Sequence, residues 1–222
     1  MTAVATSIEH IRDTSGCAQL RHATHAVHEA LHRAPLLAAF ESQQLDVSGY
    51  VRIMQIFHEF YRAIDPLICR AMPCLNLYER GFSYEPRAPM FARDIRDLDR
   101  LSSQHEACSS APCRGLPPLD NVSAVTGALY VVEGSILGGS GLDRCARKVL
   151  QSDDPAGRSY WQWCRNNASL RWKATQKIVN DVWLAHGEGD LMIESANTVF
   201  GDLLWRFEQA PVTASGVLEV AQ

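Results

Sequence analysis

Apolar residues recur every three or four positions along most of the chain, which is the spacing of amphipathic α-helices. The first such run extends from about residue 15 to residue 33, and Pro35 marks its end. A second, longer run follows Asp46 and Ser48, either of which can cap it, and Pro66 is expected to kink it. The pattern therefore predicts two long helices in the first third of the chain.

Helical spacing continues in the rest of the chain, between segments rich in proline and glycine. Residues 89–104 form a compact amphipathic pattern, and segments 73–89 and 109–120 on either side of it predict loops. Toward the C-terminus we expect a short helix, then a helix capped by Ser169, and a last helix after Asp190. The sequence contains no β-alternation and no internal repeat, so the pattern predicts an all-α fold.

The helical segments predict one domain. Residues 16–208 are expected to form a single bundle of about seven to nine helices, and 222 residues are enough for one well-packed core. Residues 1–15 are mostly small and polar, and residues 209–222 are weakly patterned. Both ends are therefore expected to be flexible.

One helical run, residues 121–150, contains several glycines within an otherwise apolar sequence. They are Gly127, Gly134, Gly138, Gly139 and Gly141. Each interior glycine costs about 1 kcal/mol of helix stability relative to alanine, so something must offset several of them. Two explanations remain open. The helix is kinked and its backbone lies directly over a flat or bulky ligand, or the glycines allow close helix-to-helix packing or form a turn between two helices.

Composition places the chain among soluble globular proteins. It is 46% apolar and 21% charged, and its net charge of -4 gives no reason to expect nucleic acid as a partner. The sequence shows neither the pattern of a signal peptide nor a long continuous apolar run, so no membrane span is expected. The seven cysteines are odd in number and scattered, which favours reduced thiols and a cytoplasmic location.

The candidate chemistry begins in residues 20–32, LRHATHAVHEALH, which hold four of the eight histidines. His25, His28 and His32 share one side of the predicted helix with apolar residues. At least one imidazole is therefore expected to point toward the apolar interior. Such an imidazole is either a hydrogen-bonded core residue or a ligand of a metal ion or a haem iron.

Three metal-binding alternatives are incomplete in the sequence. HEALH, residues 28–32, fits the zinc-peptidase pattern H-E-x-x-H, but Ala38 stands where the extended pattern requires a third ligand. A di-iron site needs two Glu-x-x-His pairs, and Glu29 with His32 forms the one pair in the chain. The two C-x4-C spacings lack the tighter spacing that is typical of structural zinc sites.

A haem site would require a histidine, an opposing helix with little side-chain bulk, and cations for the propionates. His28 can supply the axial imidazole, and the glycine-rich segment 134–141 can lie across the other face of the ring. The cations that can pair with the propionates are Arg21, Lys173 and Lys177, and the two lysines are one helical turn apart.

Two motifs resemble those of the haem oxygenase family. LRHATHAVH, residues 20–28, is similar to the family's proximal helix. EGSILGG, residues 133–139, resembles its glycine-rich distal helix in the form seen in bacterial members, including those that supply biliverdin to bacteriophytochromes. The similarity continues in the same order through RWK, residues 171–173, and FGDLL, residues 200–204. It covers about residues 16–208 and implies a haem-oxygenase-like helical bundle with a kinked distal helix.

The resemblance implies a role for each matching residue. His28 would bind the haem iron, and the propionates would be bound by Arg21, Lys173 and Lys177. On the distal side, backbone would approach the porphyrin and leave room for O2 at Gly134, Gly138 and Gly139. Ser135 stands where mammalian members have an aspartate, so ordered water held by Ser135 and backbone groups would supply protons. His32 stands where many members have a carboxylate that hydrogen-bonds the proximal imidazole.

The activity implied by the resemblance is the cleavage of haem, as both cofactor and substrate, by O2 to biliverdin, carbon monoxide and ferrous iron. Electrons would come from an external reductase or ferredoxin, because the sequence resembles no flavin or nicotinamide site. A bacteriophytochrome is a candidate acceptor of the biliverdin. Two alternatives stay open: a haem-binding or haem-carrier protein that does not open the ring, and a helical metal oxidase or thiamin-degrading relative on the same scaffold.

Overall fold

The computed structural model describes residues 15–74, 82–101 and 115–210, and in this part of the chain eight α-helices and one 3-10 turn form a bundle. In chain order these are α1 (Gly16–His32), α2 (Pro35–Glu41), α3 (Val47–Cys74), α4 (Ala88–Leu101), α5 (Val122–Gly134), the 3-10 turn (Ser135–Gly138), α6 (Gly139–Leu150), α7 (Ser159–His186) and α8 (Gly189–Gln209). The predicted all-α fold is confirmed. The predictions for residues 1–14, for the tail beyond residue 210 and for the second C-x4-C spacing lie outside the described residues.

Side-chain caps fix two helix starts close to their predicted positions. Ser15 Oγ accepts a hydrogen bond from the Ala18 backbone N–H at 3.3 Å, and α1 begins there. Asp46 Oδ1 accepts one from the Gly49 N–H at 2.8 Å at the start of α3. Each cap satisfies an N–H group that the helix leaves without an internal partner. Pro66 lies inside α3, which continues beyond it.

The predicted helix boundary at Ser169 is wrong, because α7 runs without a break over Ser159–His186. The nearby Asn167 side chain forms its hydrogen bond within the helix, because its amide donates to the Trp163 carbonyl at 2.8 Å. The start of α7 is fixed instead by Asp94 of α4. Its carboxylate accepts the first two backbone N–H groups of α7, both at 2.9 Å. A cap from a distant helix therefore replaces the local cap that the sequence pattern indicated.

Helix α5 forms part of the core and packs against α7 and α8. Most of its residues between 123 and 133 are buried. By length and composition alone, the helical run Val122–Leu150 is apolar enough to cross a membrane, but 67% of the apolar 18-residue window within it is buried inside the bundle. Such burial is typical of a core helix.

The packing of α5 on α8 is closest at Gly127. A Cβ atom built there would overlap the Met192 backbone carbonyl oxygen and lie 3.1 Å from the Ser195 Cβ. We expect Gly127→Ala to lower the free energy of unfolding by about 1–3 kcal/mol, because the backbones must separate and this outweighs the better helix propensity of alanine. Urea denaturation followed by circular dichroism measures the change.

Gly141→Ala is the matched control for this substitution. Gly141 lies in α6 and a Cβ atom built there meets nothing within 4 Å. This variant should be as stable as the parent protein or slightly more stable. Equal unfolding free energies for the two variants would contradict the close contact between α5 and α8.

Candidate functional site

Thr24 of α1 and Tyr130 of α5 lie near each other, on helices that both pack against α7 and α8. The Thr24 hydroxyl donates to the Leu20 carbonyl at 2.8 Å. The Tyr130 ring lies beside Trp172 of α7, with 5.6 Å between the ring centroids. Thr24 lies one turn before His28 on α1, and Tyr130 lies one turn before Gly134 on α5.

His28 lies on the core-facing stripe of α1, but it is exposed. The stripe consists of Leu20, Thr24 and Leu31, which are 0%, 3% and 7% exposed, and His28 falls four residues after Thr24 and three before Leu31. His28 is therefore the exposed position of this stripe. The imidazole that was expected to face the apolar interior lies at the surface instead, with its ring next to Phe200 of α8.

The His28 ring contacts two other rings. It meets the edge of Phe200 of α8, with centroids 5.7 Å apart, and lies 4.7 Å from the His32 ring. Partial burial lowers the pKa of His28, and His32 lowers it further. The lowered pKa favours the neutral imidazole, which is the form that has a lone pair for a metal ion. His22, His25 and His32 are also exposed.

The glycine-rich run bends as its sequence indicates. The α-helical pattern of α5 ends at Gly134, a 3-10 turn occupies Ser135–Gly138, and α6 begins at Gly139. A 3-10 segment inside a long helical run tightens the winding and redirects the helix. The predicted kinked helix is thus present, and its 3-10 turn follows Tyr130 by about one helical turn.

The three distal glycines have different neighbours. A Cβ atom built on Gly139 would overlap the Cys164 side chain of α7, and one built on Gly134 would contact Trp172 at 3.4 Å. A Cβ atom built on Gly138 meets nothing within 4 Å, and Gly138 is exposed. Helix packing therefore accounts for Gly139, whereas Gly138 presents uncovered backbone to open space. Contact of these glycines with a porphyrin remains a prediction.

Ser135 ends a chain of hydroxyl groups. Its Oγ donates to the Val132 carbonyl at 2.9 Å and lies 3.0 Å from the Tyr61 hydroxyl, which lies 3.5 Å from the Tyr160 hydroxyl. Burial raises the pKa of Tyr61 to about 12, so this phenol stays protonated at neutral pH. Because the Ser135 proton is committed to the carbonyl, Tyr61 donates to Ser135, and exposed Ser135 keeps the capacity to accept one further hydrogen bond.

A buried ionic cluster lies immediately before Gly134. The Glu133 side chain is 0% exposed and pairs with Arg87, also 0% exposed, at 2.6 Å, and with Arg171, 13% exposed, at 2.7 Å. The Arg87 guanidinium also lies over the ring of Tyr84, 4.5 Å from its centroid. The Glu133 carboxylate thus connects α5 to α7 through Arg171, and to the segment that leads into α4 through Arg87.

Sequence reasoning missed this cluster, although one signal pointed to it. Glu133 is the single charged residue in residues 121–142. A charge within such an apolar run must be paired if it is buried, so it predicts partners elsewhere in the chain. The pattern does not identify those partners, because Arg87 follows a proline-rich loop and Arg171 lies on an ordinary helical face.

The predicted propionate-binding cations are all exposed. Lys173 and Lys177 lie one turn apart on α7, where Lys177 Nζ is 2.7 Å from Asp181 Oδ2. Arg21 lies one turn before Thr24 on α1; burial raises the pKa of Tyr130, and the charge of Arg21 partly offsets the rise. Arg21 therefore lies close enough to Tyr130 to act on it. The role of Arg21, Lys173 and Lys177 as propionate ligands remains a prediction.

Among the described residues, no group of three or more histidine, cysteine, aspartate or glutamate side chains is close enough to hold a metal ion. In this part of the chain, neither the HEALH motif nor the Glu29–His32 pair therefore gains the further ligand that a zinc-peptidase or di-iron site requires.

Comparison with known proteins identifies a family. The family model described as "Heme oxygenase" matches residues 15–204. A curated relative named "Heme oxygenase", from Xanthomonas campestris pv. campestris (strain 8004), is 26% identical over 147 residues, which are 61% of this chain and 79% of the relative. The family match thus extends from the cap of α1 into α8.

Solved structures share the fold at low sequence identity. Haem oxygenase from Leptospira interrogans superposes with a TM-score of 0.69 and 16% identity, covering 89% of this chain and 100% of that one. Haem oxygenase-1 from the cyanobacterium Synechocystis sp. PCC6803, in complex with haem, gives 0.67 and 15%, covering 88% and 92%. The NO- and CO-bound enzyme from Neisseria meningitidis gives 0.66 and 20%, covering 94% and 98%. With the match to the family model over most of its length, the chain belongs to the haem oxygenase family.

Proposed function

We propose that this protein is a haem oxygenase that cleaves haem to biliverdin, carbon monoxide and ferrous iron. The observation that carries the proposal is the exposed His28 imidazole on an otherwise buried stripe. It lies one turn beyond Thr24, and the neighbouring Tyr130 lies one turn before Gly134 of the glycine-rich helix. A neutral imidazole on one side and uncovered backbone at Gly138 on the other are the surfaces that a flat iron macrocycle requires.

The residues present fit haem, and each has a defined task in holding it. His28 would bind the iron as a neutral imidazole, and the edge of Phe200 limits rotation of its ring. Arg21, Lys173 and Lys177 would pair with the propionates, which requires Lys177 to share or release Asp181. Bound haem supplies both the iron that activates O2 and the ring that is oxidised.

On the distal side, the hydroxyl chain ends at a backbone carbonyl. Tyr160 donates to Tyr61 and Ser135 donates to the Val132 carbonyl, so Tyr61 would donate to Ser135. Ser135 would then hold a distal water by accepting a hydrogen bond from it, which leaves the second proton of that water free to be delivered. In this way Ser135 would support proton supply at the position where mammalian members of the family have an aspartate.

The proposal extends to partners and location. Electrons would be delivered by an external ferredoxin or reductase, and a bacteriophytochrome would be a recipient of the product. The pattern of cysteines supports a reducing, cytoplasmic compartment.

Aerobic turnover of the haem complex tests this function. We expect the haem absorbance to be lost when a reductant is added under air, and a bile pigment to be recovered by product chromatography. Haem that binds and survives reductant and O2 would overturn the oxygenase proposal and would indicate a haem carrier. Metal analysis of the purified protein would reveal a helical metal oxidase.

Gly138→Ala tests the role of the uncovered backbone. A methyl group at this position meets no protein atom within 4 Å, so the apoprotein should be as stable as the parent protein or slightly more stable. The same methyl group would intrude on a ring packed against the backbone, and we expect haem affinity to fall about tenfold, which corresponds to 1.4 kcal/mol. Haem titration followed by absorbance measures the affinity.

Gly141→Ala again serves as the control, because its added methyl group also meets open space. It should leave haem affinity unchanged and be as stable as the parent protein or slightly more stable. If Gly138→Ala binds haem as tightly as Gly141→Ala, the porphyrin does not approach Gly138.

A further inference from the structure

The HEALH motif of α1, residues 28–32, contains a second histidine to which the proposed function gives no task. Histidines four residues apart in an H-E-x-x-H helix lie on one face and bind a single zinc ion together. In the structure His28 and His32 are both exposed, and 4.7 Å separates their ring centroids. No third protein ligand joins them within the described ranges. The motif therefore provides a pair of accessible imidazoles for a metal ion.

His32 is held in the way that is typical of metal-binding histidines. Its Nδ1 lies 2.7 Å from Glu41 Oε1, on a helix anchored by buried Leu36, Leu37 and Phe40. A carboxylate accepts hydrogen bonds, so Nδ1 of His32 carries a proton, and in the neutral ring the lone pair lies on Nε2. An imidazole that binds a metal commonly donates its other N–H to a carboxylate, which fixes its tautomer and orientation. The contact with Glu41 thus prepares His32 to be a ligand.

His28 presents an imidazole that is free to join such a site. Within residues 15–74, 82–101 and 115–210, its ring contacts Phe200 and His32, and neither of its nitrogens is hydrogen-bonded. A zinc ion lies about 2.0–2.1 Å from each imidazole nitrogen that binds it, so the two nitrogens must come within about 3–3.5 Å of each other. Exposed rings with centroids 4.7 Å apart reach this separation by a small rotation.

We propose that His28 and His32 together bind one divalent transition-metal ion of the zinc class in the haem-free protein, with water in the remaining coordination positions. Imidazole nitrogen suits zinc, nickel and copper, and the exposure of both rings gives water access to the ion. The metal site stands without the proposed function. Its consequence rests on that function: haem would need the same lone pair of His28, so the ion and haem would exclude each other.

His22 and His25 are the competing histidines on α1. Both are exposed, and His25 lies three residues before His28. Among the described residues, however, no carboxylate is hydrogen-bonded to either ring, and the ring beside His28 on this helix is that of His32. His22→Ala and His25→Ala are therefore matched controls, because each removes an exposed imidazole from the same helix.

The first test uses Zn2+ alone and needs no haem. Nitrogen-15 NMR of the imidazoles at about pH 7.5, where a histidine of ordinary pKa is mostly neutral, locates the ion. We expect Zn2+ to shift the signals of His28 and His32 and to leave His22 and His25 unchanged. Unshifted signals from His28 and His32 would overturn the proposal, and they would be expected if the seven cysteines alone bind zinc.

Isothermal titration of the apoprotein with Zn2+ measures the affinity of the site. It should fall at least tenfold in His28→Ala and in His32→Ala, because the remaining imidazole binds the ion without a linked partner. Glu41→Gln should lower it about tenfold through the orientation of His32. His22→Ala and His25→Ala should bind zinc as the parent protein does. A loss in His25→Ala as large as that in His32→Ala would overturn the proposed pair.

The second test measures haem binding in the presence of zinc. With free Zn2+ at ten times its dissociation constant, the apparent haem affinity of the parent protein should fall about tenfold. His32→Ala keeps His28 but lacks the metal site, so its haem affinity should be the same with and without Zn2+. An equal effect of zinc on both proteins would overturn the exclusion of haem by the bound ion.

Failure of the metal site and failure of the proposed function give different results. A protein in which Zn2+ shifts both imidazoles but which does not degrade haem refutes the oxygenase function and leaves the metal site standing. A protein that degrades haem while Zn2+ leaves both imidazoles unshifted refutes the metal site alone. Zinc has no redox chemistry, so its binding would not indicate a metal oxidase.

Discussion

Glu133→Gln is expected to lower the free energy of unfolding by about 3–5 kcal/mol, because it leaves two arginines without their shared counter-charge. Arg87 is 0% exposed and Arg171 is 13% exposed, so water cannot replace the lost carboxylate. A loss of this size is a large part of the 5–15 kcal/mol that is typical of a domain. Urea unfolding followed by circular dichroism and tryptophan fluorescence measures it.

An exposed ion pair provides the control for Glu133→Gln. Asp153 pairs with Arg147 at the surface, with side chains 79% and 56% exposed, and Asp153→Asn should leave the stability nearly unchanged. Replacing the whole cluster, with Glu133→Leu, Arg87→Met and Arg171→Met together, should destabilise the protein less than Glu133→Gln does, because no buried charge is left unpaired. A stable Glu133→Gln protein would show that the cluster is more hydrated than its burial indicates.

His28→Ala is expected to abolish normal haem ligation and to lower the rate of haem degradation at least a hundredfold, which is about 2.7 kcal/mol of activation free energy. The exposed imidazole fills no cavity, so the unfolding free energy should change by less than about 0.5 kcal/mol. The loss can then be assigned to ligation and not to unfolding. The absorbance spectrum of the haem complex and single-turnover kinetics measure the two effects.

His22→Ala and His25→Ala are the matched controls, because both histidines are exposed on the same helix. Each should keep the parent spectrum and the parent rate. Added imidazole should restore the spectrum of His28→Ala by occupying the vacated space. A His28→Ala complex with the parent spectrum would identify His25 or His32 as the iron ligand.

The sequence predicts those parts of the fold that depend on neighbouring residues. The start of α1 follows from Ser15, the start of α3 from Asp46, and the bend before α6 from the glycines. The boundary at Ser169 is wrong because the start of α7 is decided by Asp94, which lies far away in the chain. Helical spacing carries no information about such a distant cap.

The candidate site can be predicted only as far as single helices define it. His28 stands out from the spacing of α1, but its exposure depends on what the other helices leave uncovered. Two contacts join different elements of the fold: Arg87 pairs with Glu133, and His32 pairs with Glu41. Such contacts produce no periodic pattern in the sequence. For the glycines, packing accounts for Gly139 and open space surrounds Gly138, and the approach of a ligand to Gly138 stays a prediction.

The close approach of Gly139 to Cys164 also protects a sulfur atom from oxidation. Cys164 is 1% exposed, and burial raises its pKa to about 12, so the thiol stays protonated at neutral pH. Peroxide attacks thiolates far faster than thiols. Peroxide would therefore spare this cysteine, and a larger side chain at position 139 would remove that protection by forcing α6 and α7 apart.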